Sequence, residues 1–242
     1  MNGLFSGKTA LVIGGSGGIG AAISVKLAKM GAFVHVHGGS SQQRLDRTLA
    51  AIEQNGGKGS GFLYSINGPE AVGPLLAHVP EPDILVCAWG PFSRQSLPDT
   101  DAEIWNKMIK TNLIFPGFLI SSSLGVMIKK GWGRILLFGG TNTDTIRGFV
   151  TTTAYSAAKT ALGSLAKSVA KTAGSAGVTC NVICPGLTDT EYIDEAGRLY
   201  NQKMSPNGKA LSPENIAEAA ILVLGNPYIN GALIPVDNGL FL

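Results

Sequence analysis

The chain has 242 residues, 45% of them hydrophobic and only 14% charged, with a formal net charge of +3. That is enough apolar material for one large core and far from the signature of a disordered chain. The mild excess of base, with no run of lysine and arginine, does not point to a nucleic-acid partner. The N-terminal stretch MNGLFSGKTALVIGG lacks the apolar region and cleavage site of a secretory signal. No segment reaches about 18 uninterrupted apolar residues, so a soluble cytoplasmic protein without a membrane partner is expected. The cysteines, Cys87, Cys180 and Cys184, are odd in number and unpaired by any zinc-site spacing, which reads as buried reduced thiols.

In chain order, a short apolar run, TALVIGG, leads into GAAISVKLAKMG, where Ile23, Leu27 and Met30 share a helical stripe. FVHVHGG follows, then SQQRLDRTLAAIEQNGG, which turns Leu45, Leu49 and Ile52 inward. Further apolar runs are DILVCAWG, GRILLFGG, VTCNVICPG and ALIPVDNG; SPENIAEAAILVLG has the start and stop residues of a helix. Runs apolar almost throughout suit strands buried on both faces. Their alternation with helices predicts one doubly wound α/β domain over residues 1–242, of Rossmann type, with a mostly parallel sheet between two helical layers.

The first strand-to-helix turn carries Gly14, Gly18 and Gly20. Glycines there let backbone N–H groups approach a diphosphate, and the positive end of the helix dipole adds attraction. The second strand is where an acidic residue would bond a ribose 2′-hydroxyl and mark NAD. Here VHVHGGSSQQR has no acidic residue before Asp46 and offers Ser40, Ser41 and Arg44. Hydroxyls and a guanidinium suit a 2′-phosphate, so the expected cofactor is NADP(H). His35 and His37, at alternating positions of the strand, read as partly buried or solvated side chains. Further on, TTAYSAAKTAL places Tyr155 and Lys159 one turn apart on the same face of a small-residue helix.

Together these motifs resemble the short-chain dehydrogenase/reductase family nearly end to end, most closely its 3-oxoacyl-thioester reductases and related ketone reductases. Gly14, Ser16, Gly18, Ile19 and Gly20 match its glycine motif, with Ile13 in place of the usual threonine. Gly90 is the retained member of its fourth-strand motif, and Asn112 in KTNL matches its helix asparagine. Tyr155 and Lys159 match its Tyr-x-x-x-Lys pair, and Pro185, Gly186 and Thr190 match the segment that folds over the nicotinamide. The resemblance implies seven strands, a homo-oligomer (tetramer or dimer) and a small-molecule carbonyl or acyl-thioester substrate. It also implies that Tyr155 protonates the carbonyl oxygen, that Lys159 bonds the nicotinamide ribose and that Asn112 holds a water. A neighbouring ammonium is expected to lower the phenol pKa from its ordinary value of about 10.

Departures from the family pattern fall near the site. Ser65-Ile66 stands where Asp-Val often meets adenine, and Cys87 where an asparagine stiffens the fourth strand. Trp89 is expected to stack on the cofactor, wall the pocket or fill core space. No serine lies between Arg134 and Ser156, although the family places its carbonyl-orienting serine there. Counting from the strand end reaches Gly140; counting back from Tyr155 reaches Asn142. Thr141 lies between and carries a hydroxyl, Asn142 an amide, and Thr143 is a third candidate; Thr141 is slightly favoured. Losing one such donor costs about 10²–10³ in rate. A substrate lid is expected at about 188–210, with Tyr192, Tyr200 and Met204 facing Phe92 and Phe149. The rival reading is a cofactor-binding protein with little or no turnover.

Overall fold

The computed structural model describes residues 3–240, so residues 1, 2, 241 and 242 of the expected domain lie outside the described residues. The strands are β1 Thr9–Ile13, β2 Phe33–Gly38, β3 Lys58–Leu63, β4 Ile84–Cys87, β5 Gly133–Phe138, β6 Val178–Pro185 and β7 Leu233–Val236. They form one seven-stranded sheet in the order β3-β2-β1-β4-β5-β6-β7, and every neighbouring pair is parallel. The doubly wound architecture is therefore as expected, with parallel pairing throughout.

Period-2 alternation decides which side chain enters which layer. From β1, β4 and β5, Leu11, Ile13, Leu85, Ile135 and Leu137 fill one core with Phe115, Leu119 and Leu162. Ala10, Val12, Ile84, Val86 and Leu136 fill the other with Ile23, Leu27, Ile216 and Leu224. The first core lies under α3 (Val72–His78), α5 (Phe115–Lys130) and α6 (Thr153–Ala173). The second lies under α1 (Gly18–Lys29), α2 (Gln42–Gln54) and α8 (Pro213–Gly225). Ser212 caps α8 in a reciprocal capping box with Asn215, which satisfies amides that the helix itself cannot.

The expectation of no membrane span meets one qualification. A continuous helical stretch, Ala102–Lys130, is by length and composition alone long enough to cross a membrane. It comprises α4 (Ala102–Ile109), one π-helical turn (Lys110–Ile114) and α5. It buries Met108, Asn112, Phe115, Leu119 and Met127 within the domain.

The sheet reverses its winding between β1 and β4, where Ile13 pairs in register with Cys87. In open α/β sheets ligands bind beyond the carboxyl ends of the strands at such a switch point. The turn after β1 and the segment after β4 open here, so topology alone brings Gly14 and Gly90 to one crevice.

Candidate active site

The glycine turn is built for close approach. Gly14 adopts φ 76° and Gly18 φ 50°, a region costly for side chains. A Cβ on Gly20 would overlap the Gly14 carbonyl oxygen, so the turn and the start of α1 pack backbone to backbone. The Gly14 N–H donates to His37 Nδ1 at 3.2 Å, and His37 Nε2 lies 2.8 Å from the Tyr64 carbonyl oxygen. These partners require the neutral tautomer with its proton on Nε2. Burial lowers the His37 pKa from 6.5, with only the Tyr64 contact opposing.

His37 is thus a strut under the glycine turn, a role the alternation in VHVHGG did not disclose. Replacing it by Phe leaves the Gly14 amide without its acceptor. The expected loss is about 1–3 kcal/mol of stability, read by thermal denaturation, with weaker dinucleotide binding. The sign with pH follows. The unfolded chain binds the His37 proton more tightly than the folded one, so stability falls as pH drops below 6.5. His37→Phe should flatten that part of the profile.

At the end of β2 the chain presents backbone rather than acid. Gly38 is buried, and a Cβ there would come within 2.9 Å of Ser16 Oγ. A side chain at the position past His37 would have to displace Ser16 and Leu63. Ser40 is exposed, Ser41 caps α2 by accepting the Arg44 N–H at 3.3 Å, and Arg44 is half-buried. A groove of about 430 Å³ runs along Gly14, Ser16, Gly18, Ile19, Ser40 and Arg44 to Trp89, Gly90 and Thr190. Trp89 lines it from behind and packs edge-on against core Phe115, ring centroids 6.0 Å apart. Ser65 lies exposed just past β3, outside this lining, and Ile66 is buried.

On the far side of Gly90 two side chains meet. Asn112 sits in the π-helical turn and is 1% exposed; its Nδ2 donates to the Pro91 carbonyl at 3.0 Å. Among the described residues its Oδ1 has no partner. A Cβ on Gly90 would overlap that oxygen and lie 3.3 Å from Lys159 Nζ. Only glycine therefore lets the asparagine and the ammonium converge. Lys159 is buried and donates to the Phe138 carbonyl at 2.9 Å. Desolvation pulls its pKa down to about 8. An orphaned buried acceptor beside an ammonium with protons to spare suits a bridging water, as the resemblance implies.

Tyr155 stands one turn before Lys159 on α6, with Phe92 edge-on at 5.0 Å. Its pKa is not lowered as expected: burial pushes it up to about 12. The Cys184 thiol beside it rises to about 11, so it is neutral at pH 7 and adds no charge there. Lys159 Nζ lies 5.7 Å from the phenol ring and is directed to Phe138. In this arrangement desolvation outweighs the ammonium, and Tyr155 holds its proton. All three cysteines are buried and free, as the sequence implied.

At the family's serine position the structure distinguishes the candidates. A Cβ on Gly140 would lie 3.0 Å from Tyr155 Cε1 and 3.3 Å from its hydroxyl, so Gly140 is the residue directly against the phenol. Thr141 gives its proton to the Pro185 carbonyl at 3.1 Å. Thr143 is 1% exposed, accepts the Gly140 N–H at 2.8 Å and donates back to the Gly140 carbonyl at 2.9 Å. Both hydroxyls thus spend their protons on backbone. Asn142 is half-buried at φ 63°, a conformation that asparagine tolerates better than most residues.

Beyond β6, a Cβ on Gly186 would sit 2.6 Å from Asp237 Cα, and its N–H bonds Val236. Pro185 and Gly186 are thereby fixed against β7. The segment that follows is pinned at its base: Asp189 N–H donates to Leu211 at 2.8 Å, and Asn201 donates to the Asp189 carboxylate at 2.9 Å. It carries α7 (Glu195–Met204), whose Tyr200 and Met204 are exposed. Tyr192, expected to face the substrate, lies instead against the glycine turn and lines the groove beside Arg44. Glu191 joins it there, a contact that sequence reading missed.

A doubly wound sheet with a glycine turn at its switch point and a Tyr–Lys–Asn group across the crevice, its lysine and asparagine buried, defines a dinucleotide-dependent oxidoreductase. The family model described as short chain dehydrogenase matches residues 8–199. The chain is 33% identical to the 3-oxoacyl-[acyl-carrier-protein] reductase FabG of Chlamydia trachomatis, covering 99% of this chain and all of that one. It is 30% identical to D-beta-hydroxybutyrate dehydrogenase of Rhizobium meliloti, covering 96% and 98%. The crystal structure of angucycline C-6 ketoreductase LanV with bound NADP superposes with a TM-score of 0.87 at 28% identity, covering 99% and 98%. The protein belongs to the short-chain dehydrogenase family, whose members bind a nicotinamide cofactor and act on small molecules.

Proposed function

We propose that the protein is an NADPH-dependent reductase that converts a ketone, with a 3-oxoacyl thioester as the leading substrate class, to a secondary alcohol. The observation that carries this is the convergence of Lys159 and Asn112 at Gly90, with Tyr155 one turn before Lys159 on the same helix and against Gly140. Gly14, Gly18 and Gly20 would hold the diphosphate, Ser40, Ser41 and Arg44 the 2′-phosphate, and Thr190, Pro185 and Gly186 the nicotinamide side. Gly14, Gly17 and Gly18 line the groove with backbone, and the close packing of Gly20 on the Gly14 carbonyl holds the turn that presents them. The bound cofactor supplies hydride to the carbonyl carbon.

The chain's own part is the proton. A phenol held protonated by burial is in the state that donation to a carbonyl oxygen requires. Lys159, with its pKa near 8, exchanges protons readily at neutral pH and can restore the phenol through a water held at Asn112. Phe92, Ile146, Val150 and Tyr200 are exposed large apolar groups on segments flanking Tyr155 and on the lid, in keeping with an apolar acyl or aryl substrate. Exposed Ile114 in the π-helical turn and Phe118 on α5 support a homo-oligomer. The test is NADPH consumption against 3-oxoacyl thioesters and simple and aromatic ketones. Turnover with NADPH is expected; much tighter binding of NADH would overturn the cofactor assignment.

Arg44→Ala sharpens that test. Loss of a charged hydrogen bond, worth about 1.5–3 kcal/mol, should weaken NADPH binding by about 10- to 100-fold and leave NADH nearly unchanged. The second reading, a cofactor-binding protein with little turnover, is favoured by one observation: Gly140 puts no hydroxyl beside Tyr155. Dinucleotide binding without consumption on any ketone would select it.

A further inference from the structure

The start of α1 is already occupied by the protein itself. Gly18 N–H donates to both carboxylate oxygens of Glu191, at 3.0 and 3.1 Å, across 173 residues of sequence. A Cβ on Gly17 would overlap the Tyr192 hydroxyl and approach Glu191 Oε1 to 2.5 Å, so the pair presses directly on the glycine turn. The Tyr192 ring lies under the Arg44 guanidinium at 5.3 Å. A turn closed by Ile193 N–H to the Thr190 carbonyl, 3.1 Å, presents both side chains. The base of the segment stays fixed through Asp189, Asn201 and Leu211.

We propose that Glu191 and Tyr192 form a latch that stands in for the cofactor. The carboxylate takes the diphosphate's place on the Gly18 amide, and Tyr192 engages the cation that would meet the 2′-phosphate. This rests on the dinucleotide-binding reading of the groove. A carboxylate on a helix N-terminal amide satisfies the same amide and the same helix dipole as a phosphate. Two anions cannot share that amide, so cofactor and latch exclude one another. The resident carboxylate lowers apparent affinity by the fraction of chains in which the latch is closed. It also refills the cradle as spent cofactor leaves, which favours release.

The experiment is NADPH titration by nicotinamide fluorescence, with stopped-flow association, on the full chain. Wild type is compared with Glu191→Ala, Glu191→Gln and, as a control on the same lid, Lys203→Ala. Melting curves confirm that each variant is folded. With a charged hydrogen bond removed from the closed state, Glu191→Ala should bind about tenfold more tightly, chiefly through faster association. Glu191→Gln should fall between, and Lys203→Ala should match wild type. Equal or weaker binding and equal association rates in the Glu191 variants would overturn the latch while leaving the dinucleotide reading intact. Failure of every form, wild type included, to bind either NADPH or NADH would overturn that reading and the latch with it.

Discussion

Tyr155→Phe should lower kcat by about 10²–10⁴, the range for loss of a positioned general acid, and leave NADPH affinity within about twofold. The two effects separate because the phenol lies against Gly140, whereas the groove lined by the glycine turn and Arg44 does not include it. Phe keeps the ring and its edge contact with Phe92, so the fold should melt within a few degrees of wild type. The high phenol pKa adds a directional expectation. A group pushed up to about 12 by burial gives a proton to a developing alkoxide easily but accepts one from an alcohol poorly at pH 7. Reduction should therefore exceed alcohol oxidation near neutrality. Oxidation should rise toward alkaline pH, where the phenol begins to ionise. A variant that retains more than a tenth of wild-type kcat would remove Tyr155 from the proposed chemistry. A loss of NADPH binding would make its role structural.

The parts of this site legible in the sequence are those set by short spacings. Tyr155 and Lys159 share a helix face because they are four residues apart, and the glycine turn is readable because strand, turn and helix are consecutive. The sheet was readable from β1, β4 and β5, buried on both faces and therefore apolar almost throughout. By contrast β3, KGSGFL, is a half-buried edge strand rich in glycine and gave little signal.

The rest depends on contacts between distant residues. His37 meets Gly14 through the pairing of β1 with β2, and nothing in VHVHGG says which buried amide the ring will accept. Glu191 reaches Gly18 through a lid whose course depends on its pinned base. The sequence contains the lysine beside Tyr155, but the sign of the phenol's shift depends on how much water the fold removes. Among Gly140, Thr141, Asn142 and Thr143, counting residues could not say which hydroxyls the backbone had already claimed.

Lys159→Met should abolish most turnover and yet raise stability, two effects of opposite sign from one substitution. In the folded chain the ammonium is buried and its pKa lies near 8, against 10.5 in the unfolded chain. The unfolded state therefore binds the proton more tightly, and the folded state carries a penalty on the order of 3 kcal/mol at neutral pH. Methionine has a stem of similar length and carries no charge. It forfeits the bond to the Phe138 carbonyl, which costs about 1–3 kcal/mol for a buried acceptor left alone. The balance favours the variant by a small margin, so its melting temperature at pH 7 should equal or exceed that of wild type by a few degrees. The pH dependence fixes the cause. Between pH 8 and 10.5 the wild type loses its penalty as the lysine deprotonates, so its stability rises with pH relative to the variant and the margin closes or reverses. A variant less stable than wild type at pH 7, or a margin that does not change across that window, would show that Lys159 is held as a structural hydrogen-bond donor. The expected result would show instead that the fold tolerates a destabilising charge because the reaction needs an ammonium beneath Tyr155.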